Sequence, residues 1–435
     1  MTIDEVKHVC FIGAGTMGTY NSLITALAGY QVTLYDTSAE ALEMSPDRQR
    51  YWGPILEETN ICKPAELESA VTRIKRTTDP VEATKNADFL SESVFEQLEL
   101  KRKTHAQFDK LLPPHAIMTT NTSTLLLSDI ESAVQRGDKF AAMHFHQPSP
   151  LVDIVAGPRT TPETIDIVQR FVKSQGQVYV LLKKERGGYL HNAMFAGLLG
   201  TAMMLAVLMG VDYQEVDQAW MINQKVPRGP FGMMDAVGLN VVYDVFDEMS
   251  NKEDDAGPEV YQALRAFLEP YVGKGNLGMK TGQGFYTYPD PEFLQSEFIA
   301  GKVENEDLSK PMVNGLLATA LTLVADGHAD LEDVDRSWMI THSPECGPFG
   351  VIDQVGLDVV KKNLEDRAVQ MEALMGNPGT VLEATETALG LLNPLIEKGE
   401  LGVKSGKGFY SYPNPDYQQA DFLGIDIMSQ FGRAI

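Results

Sequence analysis

Val9-Cys-Phe-Ile-Gly-Ala-Gly-Thr-Met-Gly18 decides the fold class. An apolar run reads as a buried strand that stops at Gly13, and a helical pattern from Thr19 to Ala28 follows. The next apolar run, Val32-Thr-Leu-Tyr-Asp36, is a second short strand with an acid at its tip. Each glycine has its own reason. Gly13 permits the tight turn, Gly15 lets a pyrophosphate approach the backbone, and Gly18 lets helix and strand pack closely. The helix N-terminus offers unpaired N–H groups and a positive dipole end to phosphates. Asp36 is placed to accept from ribose hydroxyls and would repel a 2′-phosphate, so the pattern implies NAD rather than NADP. Strand, glycines, helix, second strand and acid in this order make a far stronger signal than the glycines alone.

Working outward, 435 residues exceed a single core, and two or three domains are expected. The net charge of −24 argues against a nucleic-acid or anionic-membrane partner. Phosphates would need local devices such as helix ends. Cys10, Cys62 and Cys346 are scattered, with no disulfide framework and no metal spacing, so no metal is expected. The first residues carry no secretory signal, and a reducing cytoplasm is the simplest home. The uncharged stretch from Ala193 to Val211 has the length of a membrane span. A helix buried on all sides is the preferred reading, because a later counterpart is interrupted by Asp326 and His328.

From Ile74 to Leu182, strands alternate with helices: 74–77, 87–94, 116–119, 139–144, 151–155 and 178–182 read as strands, and Lys101 to Leu112 and a stretch from about Pro162 as helices. Such alternation predicts an α/β, doubly wound, mostly parallel Rossmann-type sheet, with ligands beyond the strands' carboxyl ends. Asn121, Ser123 and His144 all fall at strand ends and could converge on one crevice. Past Lys184 helices take over, and the sequence repeats itself. Gly229-Pro-Phe-Gly232 recurs as Gly347-Pro-Phe-Gly350, and Leu277-Gly-Met-Lys-Thr-Gly-Gln-Gly-Phe-Tyr286 as Leu401-Gly-Val-Lys-Ser-Gly-Lys-Gly-Phe-Tyr410. The expected organisation is a dinucleotide domain over residues 1–184, then an all-α domain in two copies, 185–295 and 306–435, joined by a polar linker near Pro289 to Pro311.

At these residues the chain resembles the 3-hydroxyacyl-CoA dehydrogenase family in its form with a duplicated C-terminal domain. The resemblance runs over nearly the whole chain and rests on the GAGTMG opening, Asn121-Thr-Ser123, His144-Phe, Gly157-Pro-Arg-Thr160, Gly188-Tyr-Leu-His-Asn192 and the repeated GPF and GFY turns. It implies that Thr16 and Met17 join the glycines and Asp36 around NAD, that Glu96, Lys101 and Asn121 lie on the cofactor face, and that Lys280 reaches the same region. It also implies that His144 is the general base for an alcohol losing hydride, and that Ser123 and Asn192 hold the substrate oxygen. A histidine titrating near neutrality suits proton transfer in both directions. His146, two residues on and on the same strand face, competes for that role.

The chain departs from the family at the histidine's partner, a glutamate some twelve residues downstream. If Gly157-Pro-Arg-Thr160 anchors the alignment, Asp153 takes its place after a three-residue deletion; without a gap Ala156 falls there and the dyad is gone. Asp153 is preferred. Basic residues for CoA phosphates are sparse, with Arg48, Arg50 and Lys63 as candidates. The expected reaction is NAD-dependent oxidation of the hydroxyl of a 3-hydroxyacyl-CoA or related 3-hydroxy acid. A small free hydroxy acid and an NAD-binding relative without dehydrogenase activity are the alternatives. The resemblance further implies a monomer whose two helical copies form an internal pseudo-dimer, or a homodimer. Lys310 falls where the second copy would need a counterpart of Asn192, so one site per chain is expected.

Overall fold

The computed structural model describes residues 1–250, 258–375 and 379–424. They fall into two compact units. One holds Met1–Leu190 with Gly327–Ser343 and the stretch from Tyr417; the other holds His191–Asp326 and Pro344–Asp416.

The first unit is built on one eight-stranded sheet: β1 (His8–Ile12), β2 (Gln31–Tyr35), β3 (Lys75–Thr77), β4 (Phe89–Glu92), β5 (Ile117–Thr120), β6 (Phe140–Phe145), β7 (Leu151–Ala156) and β8 (Val178–Leu182). Its order is β3-β2-β1-β4-β5-β6-β7-β8, parallel throughout except where β7 runs against β6. Strands such as Val9–Ile12 and Ile117–Thr120 are buried, as expected for a sheet covered on both faces. Strand order reverses between β1 and β4, the point at which such sheets bind their ligands. The helices of this unit include α1 (Thr16–Leu27), α2 (Leu98–Asp109) and α3 (Pro162–Ser174). α1 and α3 pack their apolar faces into a core that includes Phe11, Leu23, Phe89 and Phe171.

The second unit is all helical. α4 (His191–Val207) is apolar all round, and it packs on α7 (Glu306–Ala325), the equivalent helix of the other copy. Between them in the sequence come, among others, α5 (Tyr213–Gln224) and α6 (Pro230–Val237). The crossing of α4 and α7 is made by small residues: a Cβ on Gly197 would sit 2.9 Å from Gly315 O, and one on Gly315 would sit 2.8 Å from Gly197 O. The two copies therefore pack on each other. α7 alone among the described residues is long and apolar enough to cross a membrane, and over half of its apolar window is buried inside the protein.

The repeated glycine-rich turns fold around a buried carboxylate. Asp235 accepts from Phe285 N and Tyr286 N, both at 2.9 Å, and from Tyr288 Oη at 3.1 Å. Asp353 does the same with Phe409 N at 2.9 Å, Tyr410 N at 2.8 Å and Tyr412 Oη at 3.1 Å. Gly278 and Gly402 are at φ 94° and 91°, and a Cβ on either would overlap the main chain of the aspartate.

One expectation needs correction. The linker does not run to Pro311, because α7 begins at Glu306 and holds that proline inside it. Glu306 and Asp307 favour a helix start at this point through the dipole. Pro311 sits early enough that the carbonyl it leaves without a partner is one from the first turn. The compact units follow packing rather than the sequence repeat. Residues 185–190 stay with the sheet, and Gly327–Ser343, with its helix α8 (Leu331–His342), leaves the second copy to pack on β7 and β8. Lys183 N donates to His328 O at 2.8 Å and Lys183 Nζ meets Asp330 at 2.5 Å along that edge.

Candidate active site

The glycine loop is held from behind. Gly13 N donates to Tyr35 O at 2.8 Å, and Gly13 lies at φ 99°, where a Cβ would sit 2.6 Å from Ser93 O. A Cβ on Gly18 would overlap Gly13 O, whereas one on Gly15 meets nothing within 4 Å. The first and third glycines are thus needed for packing, and the second faces open space. Gly15 caps α1 without a side chain, so the N–H groups of its first turn remain for a ligand. Thr16 is exposed and Met17 half-buried at that mouth. Asp36 ties the second strand to the loop, accepting from Ala14 N at 2.7 Å and Ser38 N at 2.8 Å. Arg48 braces the other side through Ala14 O at 2.6 Å. An open glycine, a free helix end and an acid at the β2 tip fit the pyrophosphate and adenosine ribose of NAD.

Across the crevice, β6 and β7 pair antiparallel with His144 directly opposite Asp153. His144 Nδ1 lies 3.1 Å from Asp153 Oδ2, and His144 Nε2 lies 3.0 Å from Ser123 Oγ. His146 Nε2 reaches the same oxygen, Asp153 Oδ2, at 2.5 Å. An ionised carboxylate only accepts, so both imidazole nitrogens on it carry hydrogen, and His144 Nε2 is left as the bare acceptor facing Ser123. Asp153 is fully buried, and its Oδ1 has no hydrogen-bond partner. Burial works against its charge, yet the charge of His146 and hydrogen bonds from both rings hold its carboxyl well below the usual range. For His144, burial and then the charge of His146 push the imidazole below its ordinary value, while Asp153 and Glu96 pull it back up. The ligand atoms of His144, His146 and Asp153 lie within 4.8 Å of one another, a set able to hold a metal ion; here hydrogen bonds link them.

Ser123 is positioned by Glu96. One carboxylate oxygen, Oε1, accepts from Ser123 N at 2.7 Å, from Thr124 N at 2.9 Å and from the Thr122 hydroxyl. Lys101, on α2, lies 3.3 Å from Glu96 Oε2 and 2.8 Å from Glu92 Oε1, with only 1% of its side chain exposed. Glu92 also meets His105 at 3.0 Å and Thr120 Oγ1 at 2.7 Å. Although burial opposes it, this set of partners holds the Glu92 carboxyl down at about 2. Expected on the cofactor face, Lys101 is instead committed to two carboxylates beneath it, and what it does for the crevice passes through Glu96. Asn121 staples β5 to β6, its Oδ1 accepting from Phe145 N at 2.9 Å.

Asn192 and Lys280 belong to the helical unit. Asn192 Oδ1 meets His191 Nδ1 at 3.2 Å near the start of α4. Lys280 meets Asn240, and Lys404 in the other copy meets Asp358 in the same way, so this contact belongs to the repeated turn. Of the residues named for CoA phosphates, Arg50 is spent on Glu68, at 2.8 and 3.1 Å, and on Asp47.

Two features escaped sequence reasoning. One is that His146, named from the sequence as a competitor of His144, donates to the same carboxylate oxygen. Tyr189 packs its ring 5.2 Å from that of His144, at φ 44°, with its hydroxyl buried and without a hydrogen-bond partner. The pair Gly187-Gly188 was the available signal. A Cβ on Gly187 would sit 2.8 Å from Thr124 O, and Gly188 N donates to Ser123 O at 3.1 Å, so the chain passes tightly over the serine loop before delivering Tyr189.

Family models match along the chain. The 3-hydroxyacyl-CoA dehydrogenase NAD-binding domain matches residues 8–186, and the C-terminal domain of the same family matches twice, at 188–288 and 310–412. The mitochondrial hydroxyacyl-coenzyme A dehydrogenase of Rattus norvegicus is 28% identical over 291 residues, 65% of this chain and 91% of that protein. A diketoreductase described as catalysing reactions of dicarbonyl compounds aligns with TM-score 0.59 and 33% identity, covering 65% of this chain and 99% of its own. The 3-hydroxybutyryl-CoA dehydrogenase of Escherichia coli shares the fold over 89% of this chain and 99% of its own, with TM-score 0.70 and 20% identity. The chain belongs to the 3-hydroxyacyl-CoA dehydrogenase family, an NAD-dependent oxidoreductase family.

Proposed function

We propose that this member of the 3-hydroxyacyl-CoA dehydrogenase family oxidises the hydroxyl of a 3-hydroxyacyl thioester, or of a related 3-hydroxy acid, with His144 as general base oriented by Asp153. The observation that carries the reading is the run Ser123 Oγ, His144, Asp153, linked at 3.0 and 3.1 Å. NAD, when bound, supplies the hydride acceptor. The protein's part is to take the hydroxyl proton. Donation from Nδ1 to Asp153 leaves the His144 Nε2 lone pair for a substrate hydroxyl, which Ser123 Oγ steadies. Asp153 then stabilises the imidazolium that forms. Asn192 is assigned to the substrate oxygen, Asp36 and the glycine loop to the dinucleotide, and Glu96 to the placement of Ser123.

A second reading, a small acid or ketone without CoA, is favoured by one observation. Arg50, a basic residue available for a CoA phosphate, is already neutralised by Glu68. The likeness to a diketoreductase supports the same alternative. The three buried cysteines suit a reducing compartment such as the cytoplasm. NADH absorbance over a panel of 3-hydroxyacyl-CoAs and free hydroxy acids separates the substrates. His144→Gln should abolish turnover while NAD still binds; turnover within tenfold of the parent removes His144 from the mechanism.

A further inference from the structure

We propose that His146 is a positioning residue for the base: by sharing one carboxylate oxygen with His144 it fixes Asp153 and draws off part of the charge that Asp153 offers the catalytic ring. This rests on the reading of His144 as base.

The geometry is specific. On β6 and the residue after its end, side chains two apart point to the same face, which brings His144 and His146 together. Their ring centroids are 4.4 Å apart. Both rings end on Asp153 Oδ2, while Oδ1 has no partner. An aspartate is one methylene shorter than the glutamate implied by the family resemblance, and with His144 alone it would be held through a single oxygen by a single donor. The second imidazole supplies another anchor on that oxygen, at the shorter distance of the two, 2.5 Å against 3.1 Å. A carboxylate that accepts two charge-assisted bonds at one oxygen divides its attraction between them. The two rings compete for the one negative charge of that carboxylate, and the charge of His146 opposes protonation of His144.

The charged and titratable groups around His144 are few. Asp153 faces it from β7, His146 stands beside it, Glu96 lies beyond Ser123, and the Tyr189 ring covers it from the segment before α4. Burial is the larger cause that disfavours protonated His144, and among these groups His146 is the one whose charge adds to it. Removing it leaves Asp153 wholly to His144 and raises the affinity of that ring for a proton.

The test uses the full-length protein with two replacements and two readouts. His146→Gln keeps an N–H donor without a titrating charge, and His146→Phe removes both. In each, the acid limb of kcat/KM for alcohol oxidation should move to higher pH by roughly half to one unit, about a three- to tenfold loss at a fixed pH on that limb. Only His146→Phe should also lower the plateau kcat, because only there is Asp153 released. The second readout is the pH titration of the His144 ring followed by NMR of 13Cε1-labelled histidine, assigned by its loss in His144→Gln. It should move by the same amount without any turnover. An unchanged limb and ring titration in both variants, whatever happens to plateau rate or thermal stability, overturns the proposal. If the ring moves and the limb does not, His146 tunes a histidine that is not the base, and the catalytic reading is what fails.

Discussion

Replacing Asp153 by Asn isolates the charge of the carboxylate from its shape. Both imidazoles donate to the same oxygen, Oδ2, and the other oxygen has no partner. An asparagine can therefore set its carbonyl in place of Oδ2, keep both hydrogen bonds, and put its NH2 where Oδ1 was. The negative charge is lost, and the buried NH2 finds no acceptor, a cost carried by ground and transition states alike. At the observed 3.1 Å and an effective dielectric of about 20, a full imidazolium and carboxylate attract by about 5 kcal/mol. With roughly half the charge developed in the transition state, the loss is about 2.7 kcal/mol, or about 100-fold in kcat. The acid limb should move to lower pH, since the group that raises the proton affinity of His144 is gone; this is opposite in sign to the effect of removing His146. NAD affinity, measured by fluorescence titration, should hold within about twofold. A kcat within threefold of the parent, or a limb moving upward, would falsify the electrostatic argument.

The glycine loop separates packing from binding. Gly15→Ala should leave the melting temperature unchanged and weaken NAD about tenfold or more by calorimetry, because its Cβ enters the space left for the pyrophosphate. Gly18→Ala should lower both stability and NAD affinity, because its Cβ meets the Gly13 carbonyl. Glu92 should make stability acid-sensitive. Its folded value, about 2, lies below its ordinary 4.5, so its contribution is complete above that ordinary value and lost as pH falls toward 2. Urea midpoints at pH 7 and pH 3 should differ more for the parent than for Glu92→Gln, and the variant should be about 3–5 kcal/mol less stable at pH 7, with Lys101 left buried beside a neutral side chain. Gly315→Ala should cost about 1–3 kcal/mol, since its Cβ is forced against Gly197 O and Thr201; an unchanged melting temperature would mean that α4 and α7 are free to separate.

What could be read from the sequence was mostly local. Gly13, Gly15 and Gly18 announce their turn because the strand, the turn and the helix are contiguous. Asp153 was legible because Leu151-Val-Asp-Ile-Val155 and the turn after it agreed, and the β6–β7 register then placed it opposite His144. The contact of His146 with Asp153 was hidden for a physical reason. Alternation shows that it shares a face with His144, but which carboxylate it meets depends on a neighbouring strand. The same holds for Lys101. Its spacing from Glu92 shows nothing until α2 lies back along β4 and the ammonium is closed between Glu92 and Glu96. Pro311 misled because proline usually ends a helix, whereas here it removes one hydrogen bond, to the carbonyl of Asp307, and the helix continues past it.

The duplicated half shows how a sequence signature can be strong without being chemical. The Gly-x-Lys-x-Gly-x-Gly-Phe-Tyr turn identifies the family, yet in both copies its glycines serve to wrap the chain closely around an aspartate, and both lysines reach back to a neighbouring side chain of their own copy. A motif that performs the same packing twice cannot tell a working copy from a supporting one. The copies differ elsewhere. The α4–α7 crossing sets Gly197 against Gly315 as equivalents, and on that register Asn192 corresponds to Lys310, which is exposed. The stretch after α7 differs again, because α8 packs on β7 and β8 while its counterpart α5 stays among helices. Duplication has kept the features that build the helical scaffold, and the copies differ at the position proposed to hold the substrate oxygen. The first copy, with Asn192 beside His191, is therefore the one to mutate in looking for substrate contacts. Asn192→Ala should raise the substrate KM at least tenfold with NAD affinity intact, whereas Lys310→Ala should change neither.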